Sequence, residues 1–296
     1  MIRTTLRTVG QVDASTATRV SAARSLIRLA DSEAYVATVL RTITPTSPPE
    51  LATGLLEAIG SSRAPQTGAT MLAAWKNFTP AARRSAIAQS LRRPEWSNAL
   101  LDTVVKGDLL RSDLGPQQWQ QLVQSSQPKL AARAREVRDQ RAGPSADREA
   151  VITKFQGAAT KTGNAFRGKE VFTANCAVCH KMEGVGQNVG PDLSGIGARP
   201  KTEILTEILD PNRSVEANYR LWNVTTKDGE TLAGRLDGET TTSIELLDLT
   251  GQRHVLQRAA VVGLESSNQS IMPAGFESLG ETDLAALLEY LAAAKH

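Results

Sequence analysis

Apolar residues recur every three or four positions through the first half of the chain, which is the spacing of amphipathic helices. Similar groups repeat at a fixed interval, because Leu26 and Leu29 stand 30 residues before Leu56 and Ile59. We therefore predict an all-α, HEAT-like helical repeat scaffold over residues 1–143. The period is shorter than that of standard HEAT repeats, so an irregular helical bundle is the alternative. Prolines mark the expected helix starts, at Pro48, Pro49, Pro80, Pro94, Pro116 and Pro128.

The pattern changes between residues 219 and 265, where short β-rich runs are separated by turn residues. Asp228-Gly229 and Asp237-Gly238 each follow such a run, and D-G between two β-rich runs indicates a hairpin. We predict four or five short strands here, forming a small inserted β-sheet or SH3-like barrel.

Helical spacing returns after Glu281 and Thr282, where Asp283 favours the dipole of a final helix. Residues 144–164 are predicted as a linker, whose early part (146–155) has room for another helix. The predicted fold is thus multidomain. The helical scaffold (1–143) and the linker are followed by an α-helical domain (165–296) that carries the β insertion.

The only two cysteines of the chain, Cys176 and Cys179, are followed directly by His180. C-x-x-C-H is the attachment signature of c-type haem, in which both thiols bond to the porphyrin and the imidazole binds the iron. Positions i, i+3 and i+4 share one helix face, so the three side chains can grip one side of a porphyrin. We predict one covalently attached haem c, with His180 as its proximal iron ligand.

Two other chemistries use a C-x-x-C pair. A structural zinc site needs four ligands, usually in two separated pairs, and the remaining histidines are only His254 and His296. A thioredoxin-like redox pair belongs at a strand-to-helix junction of a βαβ unit, which the flanking residues do not indicate.

Around the motif the sequence resembles class I cytochrome c. Residues 160–296 resemble the haem-binding C-terminal domain of large bacterial secreted or membrane-associated dehydrogenase-like proteins. The resemblance is carried by C-x-x-C-H, G-P-D-L at 190–193, I-L-D-P-N-R at 208–213, the D-G pairs and S-I-M-P at 270–273. It implies haem binding and electron transfer. It also implies that Gly168 lies where the first and last helices cross, and that the Pro191 carbonyl orients the proximal imidazole.

The second axial ligand has to come from another part of the chain. Met1 and Met71 belong to the helical half, and Met182 stands too close to the proximal histidine to reach the opposite haem face. Met272 occupies the position where the resembled family places its axial methionine, so we predict it as the distal ligand. His254 is the competing candidate.

His180 and Met272 are 92 residues apart, more than a compact monohaem domain needs. Removing the roughly 47 residues of the β insertion leaves about 45, a normal spacing for a cytochrome. The insertion therefore accounts for the excess.

Charge divides between the two halves. Residues 1–143 contain 19 Lys and Arg against 11 Asp and Glu, whereas residues 144–296 contain 15 against 20. The basic half has no Lys/Arg run with interleaved aromatic residues, so we expect no nucleic-acid partner. We interpret its charge as solvated helix faces or as a surface that orients an acidic partner.

No run of about 18 apolar residues occurs, so we expect no transmembrane segment in this chain. Arg3 and Arg7 are not followed by the apolar stretch of a signal peptide. Because covalent haem attachment requires export, we predict a piece of a longer periplasmic or otherwise extracytoplasmic protein, with its export signal upstream.

These features predict a monohaem module that passes single electrons from a redox partner or a fused dehydrogenase to a respiratory acceptor. Six-coordinate iron has no open position, so we expect no catalytic residues. The alternatives are a haem enzyme or gas or redox sensor with a labile Met272, and a protein-interaction module with structural haem. Tyr219 and Trp222 are candidates for bonds to a haem propionate or for core positions. Arg199 and Arg213 are candidates for propionate pairing or for surface salt bridges.

Overall fold

The computed structural model describes residues 2–140 and 146–294, which are mostly helical with one five-stranded antiparallel sheet. Residues 141–145, where the predicted scaffold ends and the predicted linker begins, lie outside the described residues, as do Met1 and His296. The helices before this gap are α1 (Ile2–Gly10), α2 (Thr16–Leu29), α3 (Glu33–Arg41), α4 (Pro49–Ile59), α5 (Thr67–Ala73), α6 (Pro80–Ser90), α7 (Pro94–Val105), α8 (Pro116–Val123) and α9 (Pro128–Asp139).

These helices pack in two rows. Helices α2, α4 and α6 pack in succession in one row, and α3, α5, α7 and α9 in the other. Hydrogen bonds join successive pairs of helices across 31 to 33 positions, close to the 30-residue interval of the apolar pattern. The Asp31 carboxylate accepts hydrogen bonds from Ser62 Oγ (2.5 Å) and Arg63 N (2.6 Å), and Glu33 accepts one from Gln66 N (3.1 Å). The repeat in the sequence therefore corresponds to hydrogen bonds between successive pairs of helices. The HEAT-like assignment stays a prediction.

A second, smaller core joins the helices after the gap, which are α10 (Ala146–Phe155), α11 (Ala165–Asn175), α12 (Lys201–Leu209) and α13 (Gly280–Ala293). Helix α10 lies in the segment predicted as a linker. Its Ile152 and Phe155 side chains pack on this core, and Arg148 binds both the Leu209 carbonyl (2.8 Å) and Glu277 (2.7 Å). The C-terminal region therefore begins structurally at α10, before residue 165.

Helices α11 and α13 cross at Gly168. A Cβ atom at this position would lie 2.0 Å from the Ala286 carbonyl oxygen and 2.7 Å from Tyr290 Cβ. Because the obstruction is backbone, it cannot move aside as the end of a flexible side chain could. The crossing requires glycine, as the resemblance implied.

We expect Gly168→Ala to lower the free energy of unfolding by about 1–3 kcal/mol, the usual cost of overpacking a close contact. Chemical denaturation of the haem-loaded protein, followed by haem absorbance, measures this change. Gly238→Ala is the matched control, since its Cβ would come no closer than 3.4 Å to the flexible Glu245 side chain. Equal stability of the two variants would contradict the prediction.

The sheet comprises β1 (Arg220–Thr226), β2 (Thr231–Glu239), β3 (Ser243–Asp248), β4 (Arg253–Gln257) and β5 (Val261–Ser270), in the order β4-β3-β2-β1-β5. Neighbouring strands are antiparallel. Its apolar centre includes Trp222, Val224, Ile244, Leu246 and Leu264. Within the described residues β4 and β5 are not paired, so the sheet stays open.

Two details of the predicted strands were wrong. Asp228-Gly229 forms the expected turn, with Gly229 at φ +82°, but Asp237-Gly238 lies inside β2, where the register with β3 shifts. There the D-G pair belongs to a bulge, and the turn follows at residues 240–242. The insertion also extends to Ser270, because the polar end of β5 pairs with β1.

The insertion begins and ends at one place. Ile271 N donates a hydrogen bond to the Tyr219 carbonyl (3.0 Å), and Arg220 pairs with Ser270 across the sheet. The chain therefore leaves the helical core after Tyr219 and re-enters it next to the same residue. This pairing brings together the two ends of the insertion, which accounts for much of the 92-residue interval between His180 and Met272.

The sheet also packs against the N-terminal helical region. The Arg83 guanidinium of α6 lies between the Trp75 and Trp222 rings, 5.0 and 4.8 Å from their centroids. Burial, followed by repulsion from Arg220, lowers the pKa of Arg83 to about 9. The sheet therefore contacts the N-terminal helical region directly.

None of the helices among the described residues has the length and apolar character to cross a membrane.

Candidate functional site

Cys176, Cys179 and His180 lie on a single helical turn that continues α11. The Cys176 amide caps the helix by donating to the Phe172 carbonyl (2.8 Å). The amides of Cys179 and His180 then both donate to the Cys176 carbonyl, at 3.0 and 2.8 Å. This turn directs the three side chains into one cleft of about 330 Å³.

The loop after the motif folds back over it. Gln187 N donates to the Ala177 carbonyl (3.0 Å), and Gly190 N donates to the Cys179 carbonyl (2.7 Å). At Gly186, which has φ +101°, a Cβ would lie 2.0 Å from the His180 carbonyl oxygen. Glycine is needed here both for the backbone conformation and for the close approach.

The His180 ring is fixed in orientation and tautomer. Its Nδ1 lies 2.8 Å from the Pro191 carbonyl oxygen. A carbonyl only accepts, so Nδ1 carries the proton and Nε2 presents its lone pair. A Cβ at Gly190 would lie 2.7 Å from His180 Cε1, so the backbone is packed directly on the ring. Burial lowers the pKa of His180, and the bond to Pro191 partly opposes this, so the ring is held neutral and ready to bind a metal ion.

Met272 lines the same cleft from a different part of the chain. It follows β5, and its amide donates to Ser270 Oγ (3.0 Å). Apolar side chains complete the walls of the cleft, from Leu193, Ile196, Ile204, Ile208, Phe276 and Leu291. An apolar cleft with two thiols and an imidazole on one turn, and a thioether also in its lining, fits a covalently attached haem.

The structure separates several other candidates from this cleft. His254 belongs to β4, where its Nε2 lies 2.8 Å from Asp248 Oδ2, and it does not line the cleft. Met182 is fully buried in the helical core. Trp222 is 2 % exposed in the core of the sheet. Arg213 also lies outside the lining.

Two of the candidates do reach the cleft. Tyr219 is part of its lining, and its ring lies 5.5 Å from the Arg235 guanidinium. Arg199 also lines the cleft and pairs with Glu207 (2.6 Å).

The residues by which the inserted sheet contacts the motif loop could not be identified from the sequence. Arg235 of β2 donates to the Asn188 carbonyl (3.0 Å), and Leu247 of β3 packs with Val189 and partly buried Cys179. These contacts join residues roughly 50 to 70 positions apart, and no local pattern marks them. Alternation along β2 and β3 could at most have shown which side chains share a face.

The environment of the thiols disfavours the redox-pair interpretation. Burial, and secondarily the neighbouring Cys179, raises the pKa of the Cys176 thiol to about 12, and burial raises the pKa of Cys179 as well. Catalytic redox pairs need a lowered thiol pKa. Within residues 2–140 and 146–294, no group of three or more His, Cys, Asp or Glu side chains is arranged to hold a metal ion, so the zinc interpretation also lacks its ligands.

A family model described as Cytochrome c matches residues 165–237, about a quarter of the chain. The matched residues include the C-x-x-C-H turn and end within β2, before Met272. A comparison with curated proteins found no match.

Proposed function

We propose that the chain is a monohaem module with His180 and Met272 as the residues that would bind the iron, because residues 165–237 match the Cytochrome c family model and include the C-x-x-C-H pair that supports covalently bound haem c. Cys176 and Cys179 form the thioether links, and Pro191 orients His180. The observation that carries the proposal is that both ligands line one apolar cleft while His180 Nε2 is kept unprotonated. The bound haem supplies a one-electron iron couple.

The protein's own contribution is to hold the two residues that would bind the iron. On the proximal side, the Pro191 carbonyl and the Gly190 backbone fix the imidazole plane. A hydrogen bond of this kind makes the ligand more basic and prevents it from rotating. On the distal side, Met272 follows the end of β5, and its amide donates a hydrogen bond to Ser270 Oγ. A His/Met pair favours a higher reduction potential than two histidines.

Electron exchange with a protein partner is supported by the surface next to the motif. Val178, between the two cysteines, is 52 % exposed at the edge of the cleft that it lines, and Val185 of the following loop is 40 % exposed outside the lining. Apolar side chains beside a redox centre allow brief, desolvated contact with a partner. We propose a redox protein or a fused dehydrogenase domain as donor and a respiratory protein as acceptor. The helical region is proposed as the scaffold that presents the haem domain.

Cytochrome c domains typically function outside the cytoplasm, and we propose the periplasm for this one. The charge difference between the halves supports an oriented encounter with a partner, since a field of fixed sign steers association. The expected consequence is an electron-transfer rate that depends on ionic strength.

The test is a redox titration of protein matured in cells that carry cytochrome maturation machinery. We expect a single one-electron wave and a weak far-red charge-transfer band in the oxidised state, as methionine ligation gives. The ferrous protein should bind CO slowly, since CO must displace Met272. A missing band together with rapid CO binding would overturn the proposal in favour of a sensor or haem enzyme.

A further inference from the structure

The N-terminal helical region contacts a segment that lines the haem cleft. The short turn Arg111–Asp113, between α7 and α8, contacts the C-terminal region at two points. Asp113 Oδ1 accepts a hydrogen bond from Arg220 Nη2 at 2.9 Å, and the Ser112 hydroxyl donates to the Val215 carbonyl. Val215 is part of the cleft lining. A segment more than 60 residues before the haem motif therefore touches the wall of the cleft.

The pair formed by Asp113 and Arg220, here called the Asp113–Arg220 bridge, is almost completely shielded from solvent. Their side chains are 4 % and 1 % exposed. The second carboxylate oxygen of Asp113 accepts from Leu110 N at 2.8 Å, so the acid is held from its own turn. The two charges of a buried pair hold each other in place, because separating them leaves an unpaired charge that water cannot solvate.

The bridge lies two contacts away from Met272. Arg220 opens β1 and is paired across the sheet with Ser270, the last residue of β5. Ser270 Oγ accepts a hydrogen bond from the Met272 amide at 3.0 Å. The next residue, Ile271, is tied to Tyr219, the neighbour of Arg220. Moving Arg220 therefore moves the base of the segment that carries Met272.

We propose that the Asp113–Arg220 bridge positions Met272, so that the helical region supports the segment that carries the distal ligand. Asp113 and Arg220 are positioning residues, since neither lines the cleft. The inference rests on the proposed role of Met272 as distal ligand. It adds that a part of the chain outside the cytochrome match sets how firmly this ligand is held.

The experiment uses haem-loaded Asp113→Asn, which keeps the shape of the side chain and leaves Arg220 unpaired. We expect CO to bind the ferrous variant at least tenfold faster than wild type, and the far-red band to be lost at lower denaturant concentration. The midpoint potential distinguishes an effect on the position of Met272 from the direct electrostatic effect of removing the Asp113 charge. Removing a negative charge alone stabilises the reduced haem and raises the potential, whereas weakening the methionine bond lowers it. We expect a lower potential.

Glu239→Gln is the matched control. Glu239 forms another buried bridge at the same interface, to Arg258 at 3.0 Å, and also accepts from Ala81 N of α6 at 2.7 Å. It belongs to β2, two strands away from β5. We expect its CO binding to stay within twofold of wild type. Arg220→Lys keeps the charge of the bridge, so it should retain most of the slow CO binding of the wild type.

Where Asp113→Asn does not accumulate, the double variant Asp113→Asn/Arg220→Gln reports the same quantities without an unpaired charge. Unchanged CO binding in Asp113→Asn or in the double variant, equal acceleration in Glu239→Gln, or a raised potential in Asp113→Asn would each overturn the positioning role. A wild-type protein without the far-red band would instead remove Met272 as ligand, and both proposals with it.

Discussion

Replacing both Cys176 and Cys179 with serine should abolish covalent haem attachment and leave the C-terminal region too unstable to fold as described. The physical reason is the cleft itself, whose walls are apolar and which measures about 330 Å³. At roughly 24 cal/mol per Å³ of cavity, an unfilled cleft of this size corresponds to at most about 8 kcal/mol, comparable with the whole stability of a domain. The helical core around it is smaller than the core of the N-terminal helices.

The measurement is extraction of haem from denatured protein, together with circular dichroism and limited proteolysis. We expect all haem to be extractable and the region from α10 onward to be cleaved first. Val185→Ala is the control, because it alters an exposed apolar residue outside the cleft lining and keeps both thiols. Haem that stays attached through denaturation of the double variant would contradict attachment through these two thiols.

Met272→Ala should convert a closed iron site into an open one. The variant removes the thioether from the cleft, so the far-red band should vanish and ferrous CO binding should become faster by two orders of magnitude or more. The midpoint potential should fall by on the order of 100 mV, within the roughly 0.8 V range over which axial ligands set haem potentials.

Met182→Leu provides the comparison for this variant. Met182 is fully buried in the helical core and does not line the cleft, so a change of similar volume there should leave the spectrum and potential unaltered. A far-red band that persists in Met272→Ala would show that another side chain binds the iron. His254 would then need to leave Asp248 to serve as that ligand.

Local patterns were enough to predict much of the fold. Helices α4, α6, α7, α8 and α9 begin at prolines that mark helix starts in the sequence. The C-x-x-C-H spacing indicated a helical turn, and the β-rich runs indicated an inserted sheet. Each of these signals lies within a few residues, because hydrogen bonds along a helix and turn conformations are themselves local.

What could not be predicted depends on pairing between distant segments. Asp237-Gly238 has the composition of a hairpin turn but forms a bulge, because the register of β2 against β3 decides its conformation. The Asp113–Arg220 bridge joins residues 107 positions apart. Nothing near either residue marks the other, and buried charges look like surface charges in a sequence. The Pro191 contact was accessible only because a family resemblance supplied it.

The junction of Tyr219 with Ile271 brings the two ends of the inserted sheet together at one point of the helical core. A loop grafted between two adjoining points changes how far apart the iron ligands stand in sequence without changing how far apart they stand in space. Searches that impose an upper limit on the interval between C-x-x-C-H and its methionine would therefore overlook domains with this architecture.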